Sequence, residues 1–250
     1  MKIKYLCNNE DTRIKSFTEF ISRNFPETLT EEHPDLFLVA GGDGAMLHAI
    51  QENISSNIPF LGKALGTFNF LMNNFANDLE VMNSLLNDTL PLEKFSSFTI
   101  EAALDGIKIG DAVNEVILGD NLTNYYIFNI STEDENLINF ETKGSGICIS
   151  TPVGSTAFNF NNGGRILPLD SCLLSITGIV CDRYLNDIIP CQEIKIKANN
   201  AKIFLSNVET GVLKEGSELT LKKGASVELA FLDKKEFLRR RISLSHRYRR

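Results

Sequence analysis

The residues most capable of chemistry in this 250-residue chain are Gly41-Gly42-Asp43-Gly44. An apolar run, 36–40, leads into them, and Ala45, Met46, Leu47, His48, Ala49 and Ile50 follow in a helical pattern. That order reads as a buried strand, a glycine turn and a helix N-terminus, a geometry that offers unpaired backbone N–H groups to an anion. Glycine lets a phosphate approach the backbone with no Cβ in the way. An acid beside such a cradle repels its ligand unless it holds a cation or takes a proton from an attacking hydroxyl. The segment therefore reads as a phosphoryl-transfer loop with a carboxylate at its centre. It is not a P-loop, because no Gly-Lys-Ser/Thr follows, and it lacks the dinucleotide GxGxxG spacing. The plainer alternative is a helix start at which Asp43 serves only the dipole.

Two further groups invite polar recognition. Asn114-Glu115 lies inside an apolar strand, where an amide and an acid are costly unless paired. The alternative is a satisfied core pair. Residues 144–164 run through Ser150-Thr151-Pro152-Val153-Gly154-Ser155-Thr156-Ala157-Phe158 to Gly163-Gly164. Here a short strand, 147–150, breaks at Pro152, turns at Gly154 and enters a small-residue helix capped by Ser155 or Thr156. A ligand can approach such a helix start closely, although an ordinary strand-to-helix turn has the same composition.

The elements that must hold these groups change character along the chain. Strand-like 3–7, helical 12–25, strand 36–40 with its helix to about 55, strand 58–65 and helix 78–87 alternate. That alternation implies a parallel sheet with right-handed crossovers. After Pro91 the rhythm is short strand, turn, short strand: 98–104, a turn at Asp105-Gly106, then 107–118, 125–131, 137–142, 193–197, 202–206, 218–222 and 226–231. The expected fold is an N-terminal α/β domain with a parallel sheet, followed by a mostly antiparallel β domain. The domains expected are 1–95, 96–232 and a basic tail, 233–250, with no internal repeat.

Composition narrows the function class. A net charge of −7 argues against nucleic-acid binding, apart from the basic end Arg239-Arg240-Arg241 and His246–Arg250, read as a solvated tail or as a phosphate or acidic-partner contact. No apolar stretch reaches the roughly 18 residues that span a membrane, and Asn8-Asn9-Glu10-Asp11 interrupts the start too early for a signal peptide. The expectation is cytoplasmic. Five cysteines without a CxxC pair read as reduced thiols, and three histidines make a histidine metal site improbable.

Taken together, Gly41-Gly42-Asp43-Gly44, Leu65-Gly66-Thr67 with Phe70-Leu71, Asn114-Glu115, the 150–158 block and Gly163-Gly164 resemble the NAD kinase family over almost the whole chain. Gly-Gly-Asp-Gly alone is shared with lipid kinases and phosphofructokinases, whereas the Thr-Pro-x-Gly-Ser-Thr-Ala block is specific. The resemblance implies two domains, α/β then β-rich, and phosphorylation of the adenosine ribose 2′-hydroxyl of NAD by ATP with Mg²⁺ or another divalent metal. It makes Asp43 the general base, with Gly41, Gly42 and Gly44 the phosphate loop. His48 would donate to the dinucleotide, with a core histidine as the alternative, and Asn114 and Glu115 would hold adenine and its ribose. Lys143, Ser145, Thr156, Ala157, Phe158, Asn159 and Asn161 would grip the rest. NAD and ATP are the implied partners, in a homodimer or homotetramer.

The chain departs from the family pattern at several places. Ser145 replaces an Asp expected at the nicotinamide end, and Phe158 replaces a Tyr. Val208-Glu209-Thr210-Gly211 stands for a late Asp-Gly, Ala45 for a Thr, and Lys63 and Asn69 flank the Leu65-Gly66-Thr67 element unusually. The acid is kept while the nicotinamide side is altered. A non-catalytic dinucleotide-binding relative is therefore the alternative function, and a lipid or sugar kinase on the same glycine loop is disfavoured by the 150–158 block.

Overall fold

The computed structural model of the chain describes all residues except 8–10, 27–29, 31, 67–68, 121–122, 133, 135–138 and 248–250, together with the side chains of 244–247. The chain opens with β1 (Ile3–Cys7), α1 (Thr12–Asn24), β2 (Leu36–Gly41), α2 (Asp43–Glu52), β3 (Phe60–Ala64) and α3 (Asp78–Leu86). Then come β4 (Glu93–Leu104), β5 (Ile107–Ala112), β6 (Glu115–Gly119), β7 (Tyr126–Thr132) and β8 (Asn139–Ser150). A 3-10 turn (Gly154–Thr156) and α4 (Phe158–Asn161) precede β9 (Leu173–Cys181), β10 (Asn186–Pro190) and β11 (Ile194–Ala198). The chain closes with β12 (Ala201–Leu205), β13 (Val208–Leu213), β14 (Leu219–Phe231) and α5 (Lys234–Arg247).

Two compact units result: Met1–Ser96 with Val227–Arg250, and Ser97–Ser226. In the first, β1, β2 and β3 pair in parallel, and the end of β14 joins them through Leu229 and Ala230 opposite Phe60 and Leu61. The strand β2 is buried along its whole length, as expected of a strand covered on both faces. Helix α1 lays Ile14, Phe17 and Ile21 on this sheet, one face at spacings of three and four, and starts where Asp11 accepts from the Arg13 N–H. Asn77 caps α3 in the same way. The segment expected as a free basic tail is instead α5. Asp233 caps it by accepting from the N–H groups of Lys235 and Glu236, and Phe237 packs against Phe95 and Phe231 within the same unit.

In the second unit all the registered pairings are antiparallel, with β8 between β6 and β7 and also against β9. The inward residues of these strands, among them Phe128, Ile130, Ile147, Ile149, Ile176 and Ile203, form one apolar core. Two expected strands are one here: 139–142 of the expected 137–142, whose first two residues lie outside the described residues, and 147–150 are parts of β8, bridged by Gly144, where a Cβ would come within 2.5 Å of the Cys181 sulfur. The expected strands 218–222 and 226–231 are likewise one, β14, which begins at Leu219. Conversely, 107–118 is not continuous. It breaks at Val113-Asn114, because the Ser206 hydroxyl takes both their N–H groups and Thr151 takes both their carbonyls. Strands β9, β10 and β13 were not anticipated from the sequence.

Candidate active site

The glycine loop of the first unit has the expected strand–turn–helix form. Strand β2 ends at Gly41 with φ at +152°, where a Cβ would stand 2.7 Å from that of Ala45. Gly42 is the extended N-cap, and its carbonyl accepts from Ala45 and Met46. Asp43 is the first residue of α2, so its amide and that of Gly44 lack intrahelical acceptors. Gly44 is exposed, and a Cβ there would meet nothing within 4 Å. The backbone at this corner is therefore open to a ligand.

The Asp43 carboxylate is pinned. Its two oxygens accept from the consecutive N–H groups of Phe70 and Leu71, each at 2.8 Å. Burial pushes its pKa up, while those two amides and the charges of Arg241 and Arg240 pull it down. The segment that presents the amides is itself anchored. Asn73 donates to the carbonyls of Gly62 and Ala230 and accepts from Leu232, Asn69 donates to the Gly66 carbonyl, and the Arg240 guanidinium donates to the Met72 carbonyl. Thr67 lies outside the described residues. Arg241 is almost fully buried, and burial brings its pKa down to about 10, with Asp43 opposing the fall. Neither arginine was anticipated here. The available signal was the spacing of Phe237 and Arg241, which places both on one face of α5.

His48 is exposed on α2 with its Nε2 3.3 Å from Glu52, so it is not a core histidine. Lys63 is buried above the rings of Phe17 and Phe75 and paired with Asp78, a structural role for an unusual residue.

In the second unit the 150–164 block builds the surroundings of Asn114-Glu115. Thr151 donates to the Val113 carbonyl at 2.7 Å and accepts from the Gly154 N–H at 3.0 Å. Gly154 has to be glycine: a Cβ would fall 2.0 Å from the Asn114 carbonyl oxygen. Ser155 donates to the Pro152 carbonyl and accepts from Leu167, and Thr156 donates to the Val153 carbonyl. Neither caps α4, contrary to expectation, because the chain first makes the 3-10 turn and those hydroxyls turn back onto it. Asn159 is buried and fully used, donating to Ser155 and Arg165 and accepting from Ser175, while Gly164 leaves room for its amide.

This scaffold leaves Glu115 fully buried with no donor to either oxygen among the described residues, and the Asn114 side-chain oxygen is likewise without one. Burial pushes the Glu115 carboxyl up to about 7. Ser145 and Phe158 line one cavity of about 380 Å³ with Ile117, Gly119, Asp120, Ile179, Phe204 and Asn207. Thr156 and Ala157 are half-buried beside Phe158 in sequence, while Asn161 and Lys143 face solvent, the latter near Glu141. Among the described residues no group of three His, Cys, Asp or Glu side chains could hold a metal ion, and no helix is long and apolar enough to cross a membrane.

No protein-family model matches the chain. The NAD kinase of Rickettsia bellii is 34% identical over 181 residues, covering 70% of this chain and 67% of the relative. That of Rickettsia canadensis is 33% identical over 184 residues, covering 71% and 69%. Among solved structures, yeast NADH kinase complexed with NADH matches with a TM-score of 0.83 at 18% identity, over 100% of this chain and 89% of that one. The NAD kinase of Archaeoglobus fulgidus in complex with ATP matches at 0.74 and 17% identity, over 98% and 99%. These two likenesses speak for the fold, and the sequence relatives for the lineage. With its glycine loop, pinned acid and Asn-Glu pair in the order that the motifs led us to expect, the chain belongs to the NAD kinase family.

Proposed function

We propose that the chain phosphorylates NAD at the adenosine ribose 2′-hydroxyl, with ATP or another phosphoryl donor, to give NADP. The observation that carries this reading is Asp43: a carboxylate held by two amides at a helix start where Gly44 leaves the backbone open, with burial raising its affinity for a proton. A ribose hydroxyl is a poor nucleophile, and a base poised nearer neutral pH takes its proton more effectively. In the proposed step Asp43 takes that proton as the 2′-oxygen bonds to the γ-phosphorus. The bond from that phosphorus to the bridging oxygen breaks, and ADP leaves. The divalent ion, Mg²⁺ by preference, enters as part of the metal–triphosphate substrate, where it offsets phosphate charge.

Glu115 and Asn114 are proposed to take the dinucleotide's hydroxyl and amino donors, since a ligand can supply what no described residue does. Phe158 and Ser145 are proposed to line the pocket for one of its rings. Gly41, Gly42 and Gly44 are proposed as the phosphate loop, and Thr156 and Ala157 as dinucleotide-binding residues. The non-catalytic alternative has no observation in its favour. A cytoplasmic homodimer or homotetramer is also proposed, supported by exposed Val180, Tyr184 and Ile188 on the second unit's strands and the loop joining them. Light scattering that returned an active monomer at micromolar concentration would overturn the assembly.

The test of function is a coupled assay of NADP formation from NAD and Mg–ATP, with polyphosphate as a second donor. Turnover with either donor is expected. Protein that binds NAD yet forms no NADP with either would refute the reading.

A further inference from the structure

Strands β9 and β10 pair with Pro190 opposite Leu173, so the next residues outward, Cys191 and Cys172, stand opposite each other. The Cys191 N–H donates to the Cys172 carbonyl at 2.8 Å, continuing the ladder. Opposite residues at such a hydrogen-bonded position have Cα atoms about 5.5 Å apart. A disulfide spans roughly 4.4–6.8 Å. Cys172 is exposed, Cys191 is half-buried, and neither takes part in the proposed phosphoryl transfer. The Lys223 ammonium lies 3.9 Å from the Cys172 sulfur and 5.3 Å from the centre of the Phe98 ring, which keeps it near. Burial, and then the neighbouring Cys172 thiol, push the Cys191 thiol up to about 11. The other cysteines differ. Cys148 is fully buried, Cys181 donates to the Gly146 carbonyl, and Cys7 lies in the first unit beside Thr18.

We propose that Cys172 and Cys191 are a redox modification site, closing to an intrachain disulfide when the protein meets a hydroperoxide and reopening with a thiol reductant. Exposed Cys172 reacts first, because a peroxide reaches its sulfur directly from solvent, whereas Cys191 is half-buried. Its sulfur attacks the peroxide oxygen, the O–O bond breaks, and the sulfur becomes a sulfenic acid as the other oxygen leaves as an alcohol or water. The Cys191 sulfur then attacks the Cys172 sulfur. The S–O bond breaks, and the hydroxide leaves with the Cys191 proton as water. Two thiols are oxidised, one peroxide is reduced, and no further reactant is needed. The half-burial of Cys191 makes it the resolving partner rather than the first target.

Thiol titration of the denatured full-length protein, before and after one equivalent of hydrogen peroxide, tests the site. The count is expected to fall from five to three. The mass is expected to drop by about 2 Da, with a peptide linking 172 to 191 and full recovery in dithiothreitol. Cys191→Ser should leave a Cys172 sulfenic acid that dimedone traps. Five thiols remaining, oxygen added to Cys172 with no loss of the Cys191 thiol, or a disulfide only between two chains would each overturn the proposal.

Discussion

Asp43 in the first unit accepts hydrogen bonds from two consecutive amides, whereas Glu115 in the second accepts none from any described residue, although both are withdrawn from water. Burial raises the pKa of both. At Asp43 the amides and two arginines oppose that rise, so the carboxylate is fixed in position while staying available to a proton. At Glu115 burial acts alone, and the acid sits near neutrality at about 7. On the proposed reading the contrast separates a group that acts from a group that receives: the protein completes the geometry of the first, and the second leaves its acceptor capacity to a ligand.

The largest effect is expected from Asp43→Asn. The amide cannot take a proton, and it turns a donor toward one of the Phe70 and Leu71 N–H groups. The kcat should fall by about 10²–10⁴ while NAD binding stays within a few-fold. A variant within threefold of wild-type kcat, a margin well below about 10², would remove Asp43 from the base role and dissolve the contrast.

Glu115→Gln probes the other half. The folded chain holds the Glu115 proton up to about pH 7, whereas the unfolded chain releases it near 4.5. The folded state therefore binds more protons between those values, and wild-type stability declines as pH rises through that window. The uncharged variant should be more stable than wild type at pH 8 by about 2–3 kcal/mol, with the advantage gone below about pH 4.5. Its NAD affinity should drop by roughly tenfold or more, because a charge-assisted acceptor is lost. Denaturant titration at the two pH values reads the first effect. Equal stabilities at pH 8 would mean that the carboxylate is already satisfied.

Arg241→Met sharpens the electrostatic side. Arg241 holds the Asp43 pKa down, so its removal leaves Asp43 protonated to a higher pH. The acid limb of the kcat profile should move to higher pH, with the alkaline plateau nearly unchanged. An unmoved limb would mean that the buried guanidinium serves only the fold. The smallest effect belongs to the pocket. Ser145→Asp should tighten NAD by about 1 kcal/mol, roughly fivefold, through one recovered acceptor. Calorimetric titration showing equal or weaker binding would assign that role to another group, with Asp120 on the same cavity wall the first to examine.

The sequence by itself determined the features whose physics is local. A buried apolar run ending in glycines and then a helical pattern sufficed to place β2, the turn and the start of α2, and Asp43 came with them. Asp11 and Asn77 each cap the helix that follows within three residues. The motif block from Thr151 to Gly164 was legible as special, yet its purpose was not. Its Thr151 hydroxyl and Gly154 hold the break before β6, the former through bonds that span 37 and 38 residues. Only the tertiary structure decided that Ser206 interrupts the strand 92 residues before it, that Arg240 reaches back 168 residues to Met72, and that Cys172 faces Cys191 across a ladder. Burial and long-range pairing set those outcomes. Neither is encoded in the spacing of neighbouring residues, so an arginine that reads as a solvated tail can end as a buried charge near the Asp43 carboxylate.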